Sequence, residues 1–482
     1  MKQHHTAFSK NKKRKRAEET GGEPTGLAPF FSFIDQYTHH FHVRTRPSFR
    51  KRSHQYLSGL MQRDSRRNIE RIDETAKGSE YQSLHHFLSH SPWDDDAVCA
   101  QISQEANELL GGHRDSCLII DPSGIPKKGK HSVGVARQYC GNVGKVDNCQ
   151  IGVFAALAKG RDACLIDKRL YLPKQWTQDE ERCEKAGIPE SERIYKKRAQ
   201  QALELLESAD RNSVDYAWVG MDAEFGVPWL LHELDQRRKT FLIDVKTSHH
   251  IYEANPRLKY RSKSTREGRL CLKKKPRKVQ AIRLAQGRKG WKKVAIRDST
   301  KGVMQAEYLH KKVWFWDSKG TDEPKCWHLL IRRIRRRNRK QWQFKYSLSN
   351  APLRITTERL AYMQAQRFWV EQAIRDCKDG LGMDEYQVRK WRAWHHHTSL
   401  TMLTGLYILK VKLENRDNLP LLSVTDVREM LQFFLPLKAV TLEDLMAQIR
   451  ERHRLRLKSY RHSRSSQKDP PSHVSRHWDG SK

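Results

Sequence analysis

The order of short apolar runs and amphipathic segments between residues 115 and 245 restricts the fold more than any other feature of the sequence. Five runs have the length and composition of strands: 117–121, 150–158, 163–172, 216–221 and 240–245. Apolar residues at helical spacing predict helices over 192–209 and 228–238. Three successive strands favour an antiparallel meander, and the later alternation of helix and strand favours parallel additions. This region is therefore predicted to be an α/β domain.

The flanking regions differ from it in composition. Residues 27–110 combine helical spacing of apolar residues with many basic residues, which fits a helical DNA-binding domain and also a plain solvated helical bundle. Residues 250–350 are basic and rich in aromatics, with short alternating runs, and we interpret them as a β-rich insertion. The remaining divisions are a disordered basic arm at 1–26, the two parts of the α/β core at 111–249 and 351–415, C-terminal helices at 416–455 and a disordered basic tail at 456–482.

The charge balance restricts the class of partner. The chain of 482 residues carries 92 Lys and Arg against 56 Asp and Glu, a formal net charge of +36. Such an excess indicates a polyanionic partner, with nucleic acid as the first candidate and an anionic membrane surface as the second. No apolar run approaches the roughly 20 residues that a membrane-spanning helix needs, which weakens the membrane alternative.

The cysteines and the first residues bear on the cellular compartment. The nine cysteines are scattered and none forms a Cys-x-x-Cys pair. A disulfide framework or a zinc site is therefore not expected, and a reducing compartment fits better. The first 20 residues lack the apolar core of a secretory signal. We accordingly predict a cytoplasmic, nucleoid-associated protein.

Two aspartates at the ends of strand-like runs are the first candidates for chemistry. Asp121 precedes the chain-breaking residues 122–124, and Asp222 precedes a turn that leads into a helix. Acids that converge from separate elements suit two metal ions, and magnesium prefers such hard oxygen ligands. Asp167 and Asp244 also follow apolar residues. Both lie inside runs that continue as strand, where an alternating, solvent-facing Asp explains them.

A third acid, Glu371, lies in a helical segment. At about 100° per residue, Glu371 is roughly 40° around the helix from Arg367 and Lys378 is roughly 20° from Glu371. One helix face thus carries an acid between two cations. On spacing alone, a surface ladder of salt bridges is favoured over a catalytic role as the explanation of this pattern.

In combination these segments resemble a known family. The runs 118–121 and 219–222 and the Arg-x3-Glu-x6-Lys pattern at 367, 371 and 378 are similar to the bacterial insertion-sequence transposases of the DDE type. More narrowly, they resemble the group called DDE superfamily endonucleases. Residues 380–389 and 394–397 are also typical of it, and the similarity extends from about residue 80 to about residue 440.

The resemblance implies a ribonuclease-H-like catalytic domain, the fold that the order of elements also favours. It implies that Asp121, Asp222 and Glu371 bind two Mg²⁺ ions, for which Mn²⁺ can substitute. It further implies that Arg367 and Lys378 contact DNA phosphates near the transposon end. The family signature has a Tyr three residues before the Arg, where this chain has Gln364, and no role is carried over to that position.

The basic insertion is expected to contact DNA, because Lys and Arg bind phosphate and aromatic faces stack on bases. The basic candidates are Lys273, Lys274, Lys275, Arg332, Arg333, Arg335, Arg336 and Arg337. By analogy with relatives, a tryptophan of the insertion stacks on a flipped base. The candidates are Trp291, Trp314, Trp316 and Trp342, although half or more of the aromatics in this segment are expected to be sheet core.

The run His395–His397 is a weaker candidate for a metal site. Consecutive helical residues point about 100° apart, so three neighbours cannot converge on one ion. Packing or phosphate contact is the better interpretation.

These observations predict a DNA transposase that binds terminal inverted repeats, hydrolyses phosphodiester bonds at transposon ends and joins the freed 3′ hydroxyl to target DNA. Synapsis of two ends of double-stranded DNA predicts a homodimer. Two alternatives stay open: a non-catalytic or domesticated DNA-binding relative, and a structure-specific nuclease on the same fold.

Overall fold

Helices surround a large β-sheet in this computed structural model. It describes residues 28–41, 48–62, 66–256, 258–260, 270–272, 275–287, 289–299, 302–316, 323–335, 341–438 and 441–465. The helices before the sheet are α1 (Ala28–Asp35), α2 (Thr38–Phe41), α3 (Ser48–Leu60), α4 (Ile69–Thr75), α5 (Tyr81–Ser89) and α6 (Asp95–Leu110). Those within and after it are α7 (Lys174–Thr177), α8 (Glu180–Ala186), α9 (Arg198–Arg211), α10 (Pro228–Gln236), α11 (Val279–Gln286), α12 (Thr357–Arg375), α13 (Trp391–Glu414), α14 (Val424–Gln432) and α15 (Leu442–Ser465).

Ten of the described strands form one sheet. They are β1 (Ser116–Pro126), β2 (Ala136–Cys140), β3 (Lys145–Lys159), β4 (Asp162–Leu170), β5 (Trp218–Met221), β6 (Phe241–Val245), β11 (Lys292–Ser299), β12 (Gly302–Phe315), β13 (Lys325–Arg335) and β14 (Trp342–Ser349). Their order is β11-β12-β13-β14-β6-β5-β1-β3, and both β2 and β4 pair with β3. The other described strands form two ribbons, β7 (His250–Ile251) with β10 (Arg277–Lys278) and β8 (Leu258–Tyr260) with β9 (Leu270–Leu272).

The centre of the sheet confirms the predicted mixture of antiparallel and parallel strands. β1 pairs antiparallel with β3, which pairs antiparallel with β4. β5 is parallel to both β1 and β6. All five predicted runs overlap these strands, whereas the helix predicted from residue 192 begins only at Arg198 and β2 was not predicted. A mixed sheet flanked by helices is consistent with a ribonuclease-H-like domain.

The prediction that residues 122–124 break the first strand is wrong. β1 continues to Pro126 and stays paired with β3, with Pro122 opposite Val153. β5 ends at Met221, opposite Ile120, so the later part of β1 has lost its neighbour on that side. A proline, which lacks a backbone donor, is tolerated where a strand is paired on one side only.

The described strands of the insertion extend the central sheet. β14 pairs antiparallel with β6, and Ser347 lies opposite Asp244. β13, β12 and β11 follow outward as an antiparallel series. The strands of the insertion and of the α/β core therefore share one continuous hydrogen-bonded frame.

Helices α1 to α6 share a hydrophobic core with the sheet and with α13. The ring of Tyr407 on α13 packs against Phe30, with 4.8 Å between ring centroids, and against Phe33. Helix α6 begins at a cap, because the side chain of Asp94 accepts hydrogen bonds from the backbone N–H groups of Asp96 and Ala97. Such bonds satisfy donors that have no partner inside the helix.

The C-terminal region corrects one boundary. Disorder was predicted from residue 456, but α15 continues to Ser465. Its Lys, Arg and Leu residues are strong helix formers, and that propensity outweighs the polar composition. The basic arm at 1–26 and the tail from 466 lie outside the described residues. Within the described part of the chain, the helices are all too short or too polar to cross a membrane.

Candidate active site

Three aspartates lie in one row across the centre of the sheet. The registers of β1 with β5 and of β5 with β6 place the residues just before these aspartates opposite one another. Asp121, Asp222 and Asp244 therefore follow at the same level of three parallel strands. The carboxyl ends of parallel strands are where α/β sheets place their ligands.

Helix α12 lies across this row and adds a cation and a fourth acid. Its start is fixed by Thr356, whose side chain accepts a hydrogen bond from the backbone N–H of Arg359. Arg367 and Glu371 are four residues apart and therefore lie on one face of the helix. The helix contacts β1, β5 and β6 as well as the outer strands, which brings that face over the three aspartates.

The guanidinium of Arg367 contacts all four carboxylates. Nη1 lies 2.7 Å from Asp244 Oδ2 and 3.2 Å from Asp222 Oδ1. Nη2 lies 3.0 Å from Glu371 Oε1 and 3.2 Å from Asp121 Oδ1. The three acids predicted from the sequence are thus brought together, and Glu371 belongs to this cluster rather than to a surface ladder.

Burial changes the proton affinity of the groups in this cluster. Burial raises the pKa of Asp121 to about 7. The positive charge of Arg367 opposes this shift, whereas the negative charges of Asp222 and Glu371 add to it. Burial disfavours the charged form of Arg367, but the carboxylates outweigh it and raise its pKa. Arg367 consequently remains a cation.

The alternative acids are both buried, and the prediction that they face solvent is wrong. Asp167 and Asp244 are each 4% exposed. Asp167 pairs with Arg169 at 3.0 Å and does not join the cluster. Asp244 is a member of it. β6 lies inside the sheet and β4 pairs, among the described strands, only with β3, but both strands have buried residues on both faces, so the alternation of inward and outward residues does not hold in either.

A glycine fixes the turn that follows Asp222. A Cβ atom on Gly226 would lie 2.3 Å from the carbonyl oxygen of Asp244. Such a distance is far below van der Waals contact, so only glycine allows the turn to approach β6 this closely.

Lys378 lies one π-helical turn beyond α12, in Asp376–Gly380. Its Nζ donates hydrogen bonds to Ser123 Oγ at 2.7 Å and to the carbonyl oxygen of Gly124 at 2.6 Å. Burial lowers its pKa to about 8, and Asp384 opposes the shift. Lys378 therefore ties the turn after the helix to β1, two residues beyond Asp121.

Three cations on the outer strands, which we call the basic ledge, lie beside the carboxylates: Arg297, Arg332 and Lys345. Lys345 Nζ is 3.6 Å from Asp244 Oδ2, and Arg332 lies directly opposite Lys345 in the sheet. The guanidinium of Arg297 stacks 3.3 Å from the centroid of the Phe368 ring. Sequence reasoning named only Arg332, because the register that joins these strands is not visible in the sequence.

The other predicted DNA-contacting residues are dispersed. Arg333 pairs with Glu307 and its guanidinium lies 4.1 Å from the Trp291 ring, while Arg335 and Lys275 are exposed. Trp316 is half-buried and lines a cleft that also includes Ala223, next to Asp222. Among the other aromatics of the segment, Phe315, Trp327 and Tyr346 are core residues. Lys273, Lys274, Arg336 and Arg337 lie outside the described residues.

The histidine run is packed into the interior. His396 stacks on Trp93 with 3.6 Å between ring centroids. His397 Nε2 donates toward the carbonyl oxygens of Gly382 and Met383, and its Nδ1 accepts from Tyr56 Oη at 2.7 Å. Burial lowers the pKa of both histidines to about 3, so they are neutral.

The donor set of the cluster fits a hard divalent cation. Among the described side chains, no group of three or more His, Cys, Asp or Glu is close enough to hold a metal ion in this arrangement. The carboxylates converge instead on one guanidinium, whose buried Nε has no hydrogen-bond partner. Four carboxylates against one arginine leave a local excess of oxygen donors and negative charge, which Mg²⁺ and Mn²⁺ favour.

Comparisons with known proteins return related sequences. The family model described as DDE superfamily endonuclease matches residues 36–303, more than half of the chain. The match includes Asp121 and Asp222 and ends before Glu371. A probable transposase for insertion sequence element IS701 from Microchaete diplosiphon is 34% identical over 137 residues. The aligned part is 27% of this chain and 34% of that relative, so the similarity spans about a third of the relative's length.

Proposed function

This chain belongs to the DDE superfamily of endonucleases, and from that premise we propose that it is a DNA transposase whose active site is the carboxylate cluster under α12. The observation that carries the proposal is that Asp121, Asp222 and Glu371, from three separate elements, contact one guanidinium. Phosphoryl transfer with two metal ions needs such a convergence of acids. The enzyme would hydrolyse a phosphodiester at each transposon end and join the freed 3′ hydroxyl to target DNA.

Asp121, Asp222 and Glu371 would hold the divalent ions, Mg²⁺ or Mn²⁺. Bound there, such ions activate the attacking oxygen and stabilise the leaving oxygen of the phosphodiester. Two cationic side chains position the carboxylates for this role. Arg367 holds the carboxylates together, and Lys378 fixes β1 beside Asp121. Their buried contacts support a positioning role more directly than the phosphate contacts expected from the resemblance.

The basic ledge is the proposed contact for the DNA strand that enters the cluster. Arg297, Arg332 and Lys345 are next to the acids, and cations beside the scissile phosphate bind the backbone without reading its sequence. We assign recognition of the terminal repeats to the helices of residues 27–110 and to the insertion. Pairing of two ends makes a homodimer the expected synaptic unit, and chromosomal DNA as substrate places the protein in the nucleoid.

Strand cleavage tests this proposal. A labelled fragment that carries the inverted repeat flanking the gene is incubated with the full chain and Mg²⁺. We expect the wild type to nick at the repeat end, and Asp121→Asn, Asp222→Asn and Glu371→Gln to bind the fragment without cutting it. Asp167→Asn is the matched control, because Asp167 is also a buried strand acid paired with an arginine, but lies outside the cluster.

Each other outcome selects a different function. A cluster variant that cuts like the wild type removes its carboxylate from the proposed site. A wild type that binds the repeat and never cuts indicates a non-catalytic DNA-binding protein. Cleavage of branched DNA without preference for the repeat indicates a structure-specific nuclease.

A further inference from the structure

Asp244 belongs to the cluster but is not one of the three acids that are proposed to hold the metal ions. It sits at the same level of the sheet as Asp121 and Asp222, and it accepts the shortest of the four contacts from Arg367, at 2.7 Å. Its side chain is 6% exposed, compared with 12% for Asp121, 40% for Asp222 and 45% for Glu371. Asp244 is thus the deepest of the four acids and the one that solvent reaches least.

A chain of hydrogen bonds orients this carboxylate. Ser347, opposite Asp244 on β14, lies with its Oγ 2.5 Å from Asp244 Oδ1. Gln364 Nε2 on α12 lies 2.6 Å from the same Ser347 Oγ. A carboxylate can only accept, so Ser347 donates to Asp244 and must accept from the amide of Gln364. Both hydrogen bonds therefore run in one direction, from the helix to the sheet.

Both oxygens of Asp244 are therefore used within the protein. Oδ1 accepts a hydrogen bond from the Ser347 hydroxyl. Oδ2 accepts one from the Arg367 guanidinium and also lies 3.6 Å from the Lys345 Nζ. Asp121, Asp222 and Glu371 also meet the guanidinium through one oxygen each, but among the described residues the second oxygen of each accepts no hydrogen bond. This difference separates an acid that holds the arginine from acids that are suited to hold a metal ion.

We propose that Asp244, oriented by Ser347 and Gln364, is a positioning residue that anchors Arg367 and so weakens the competition of its guanidinium with divalent metal ions for the other three carboxylates. The proposal rests on the proposed function, because it assumes that those carboxylates bind metal. Gln364 occupies the signature position where the resembled family has a tyrosine, and this gives it a role in the present chain.

The physical basis is competition between two kinds of cation for the same oxygens. When Asp244 binds Nη1, the guanidinium interacts less strongly with the other three acids. Without Asp244 it would bind those three acids more tightly, and a metal ion would have to displace it from them. Outer partners of metal-binding groups typically change metal affinity by about 10–100-fold when they are removed.

Mn²⁺ binding to the full chain without DNA tests the proposal, with free Mn²⁺ followed by electron paramagnetic resonance at pH 8. We expect Asp244→Asn and Ser347→Ala to weaken binding by about 10–100-fold. Ser347→Ala leaves every charge in place, so it reports orientation alone. Asp167→Asn, which breaks another buried pair in the sheet, should bind Mn²⁺ like the wild type. Melting temperatures in EDTA show separately how much each change destabilises the fold.

The outcomes separate this inference from the proposed function. If the wild type binds Mn²⁺, Asp121→Asn does not, and both Asp244→Asn and Ser347→Ala bind normally, the anchoring role is overturned while the active site stands. If Asp244→Asn alone weakens binding, charge explains the effect and the hydrogen-bonded orientation is overturned. If the wild type binds no Mn²⁺, the proposed metal site fails and the anchoring role fails with it.

Discussion

Replacing Arg367 by methionine should destabilise the metal-free protein strongly and the metal-bound protein little. The substitution leaves four carboxylates facing one another without their shared cation. Removing one partner of a buried ion pair costs about 3–5 kcal/mol. The unfolding entropy of a chain of 482 residues corresponds to about 1 °C per kcal/mol, so the melting temperature in EDTA should fall by about 3–5 °C.

Thermal melting at pH 8 in EDTA and in saturating Mg²⁺ measures both states. Mg²⁺ supplies positive charge to the same oxygens, so the gap between wild type and Arg367→Met should narrow when the ion is added. Arg375→Gln, an exposed position on the same helix, should change stability by less than about 0.5 kcal/mol in either buffer. Equal stability of Arg367→Met and wild type in EDTA would refute the reasoning, and so would a gap that Mg²⁺ leaves unchanged.

Two further predictions concern pH and salt. The pKa of His397 is about 6.5 in the unfolded chain and about 3 in the folded one, so its contribution to stability is complete above pH 6.5 and is lost as the pH falls toward 3. Between pH 6.5 and 3, His397→Gln should reduce the slope of the unfolding free energy against pH by about 1.4 kcal/mol per pH unit, and an unchanged slope would contradict this. Arg332→Ala should weaken binding of repeat and unrelated DNA alike and lower the salt slope of log affinity by about 1, whereas loss for the repeat alone would contradict a phosphate contact.

The central strands were predictable because strands that are buried on both faces of a sheet appear in the sequence as short, continuous apolar runs. Short apolar runs that end in Asp121 and Asp222 marked both the strands and the first two acids of the cluster. The family match agrees with that resemblance. Glu371 could not be chosen from helical spacing, since the same pattern fits a surface ladder; only its contact with Arg367 distinguishes the two.

Other features depend on pairings that a linear pattern does not encode. Asp244 was set aside because a charged residue in a strand was assumed to face solvent, and this assumption fails for a strand buried on both faces. Its partner Ser347 is about a hundred residues later in the sequence and becomes its neighbour only through the register of β14 with β6. The same register brings Lys345 to the acids.

The continuity of the sheet from β6 into β14 also determines how the chain can be rearranged. An insertion that formed its own body could be cut out and its ends rejoined. Here excision of the strands after β6 would remove one neighbour of β6 and leave its backbone donors and acceptors unpaired beside the acids. Unpaired strand edges form hydrogen bonds with other chains and lead to aggregation. Shortened or chimeric versions of this protein should therefore retain β14, even when the outermost strands are exchanged.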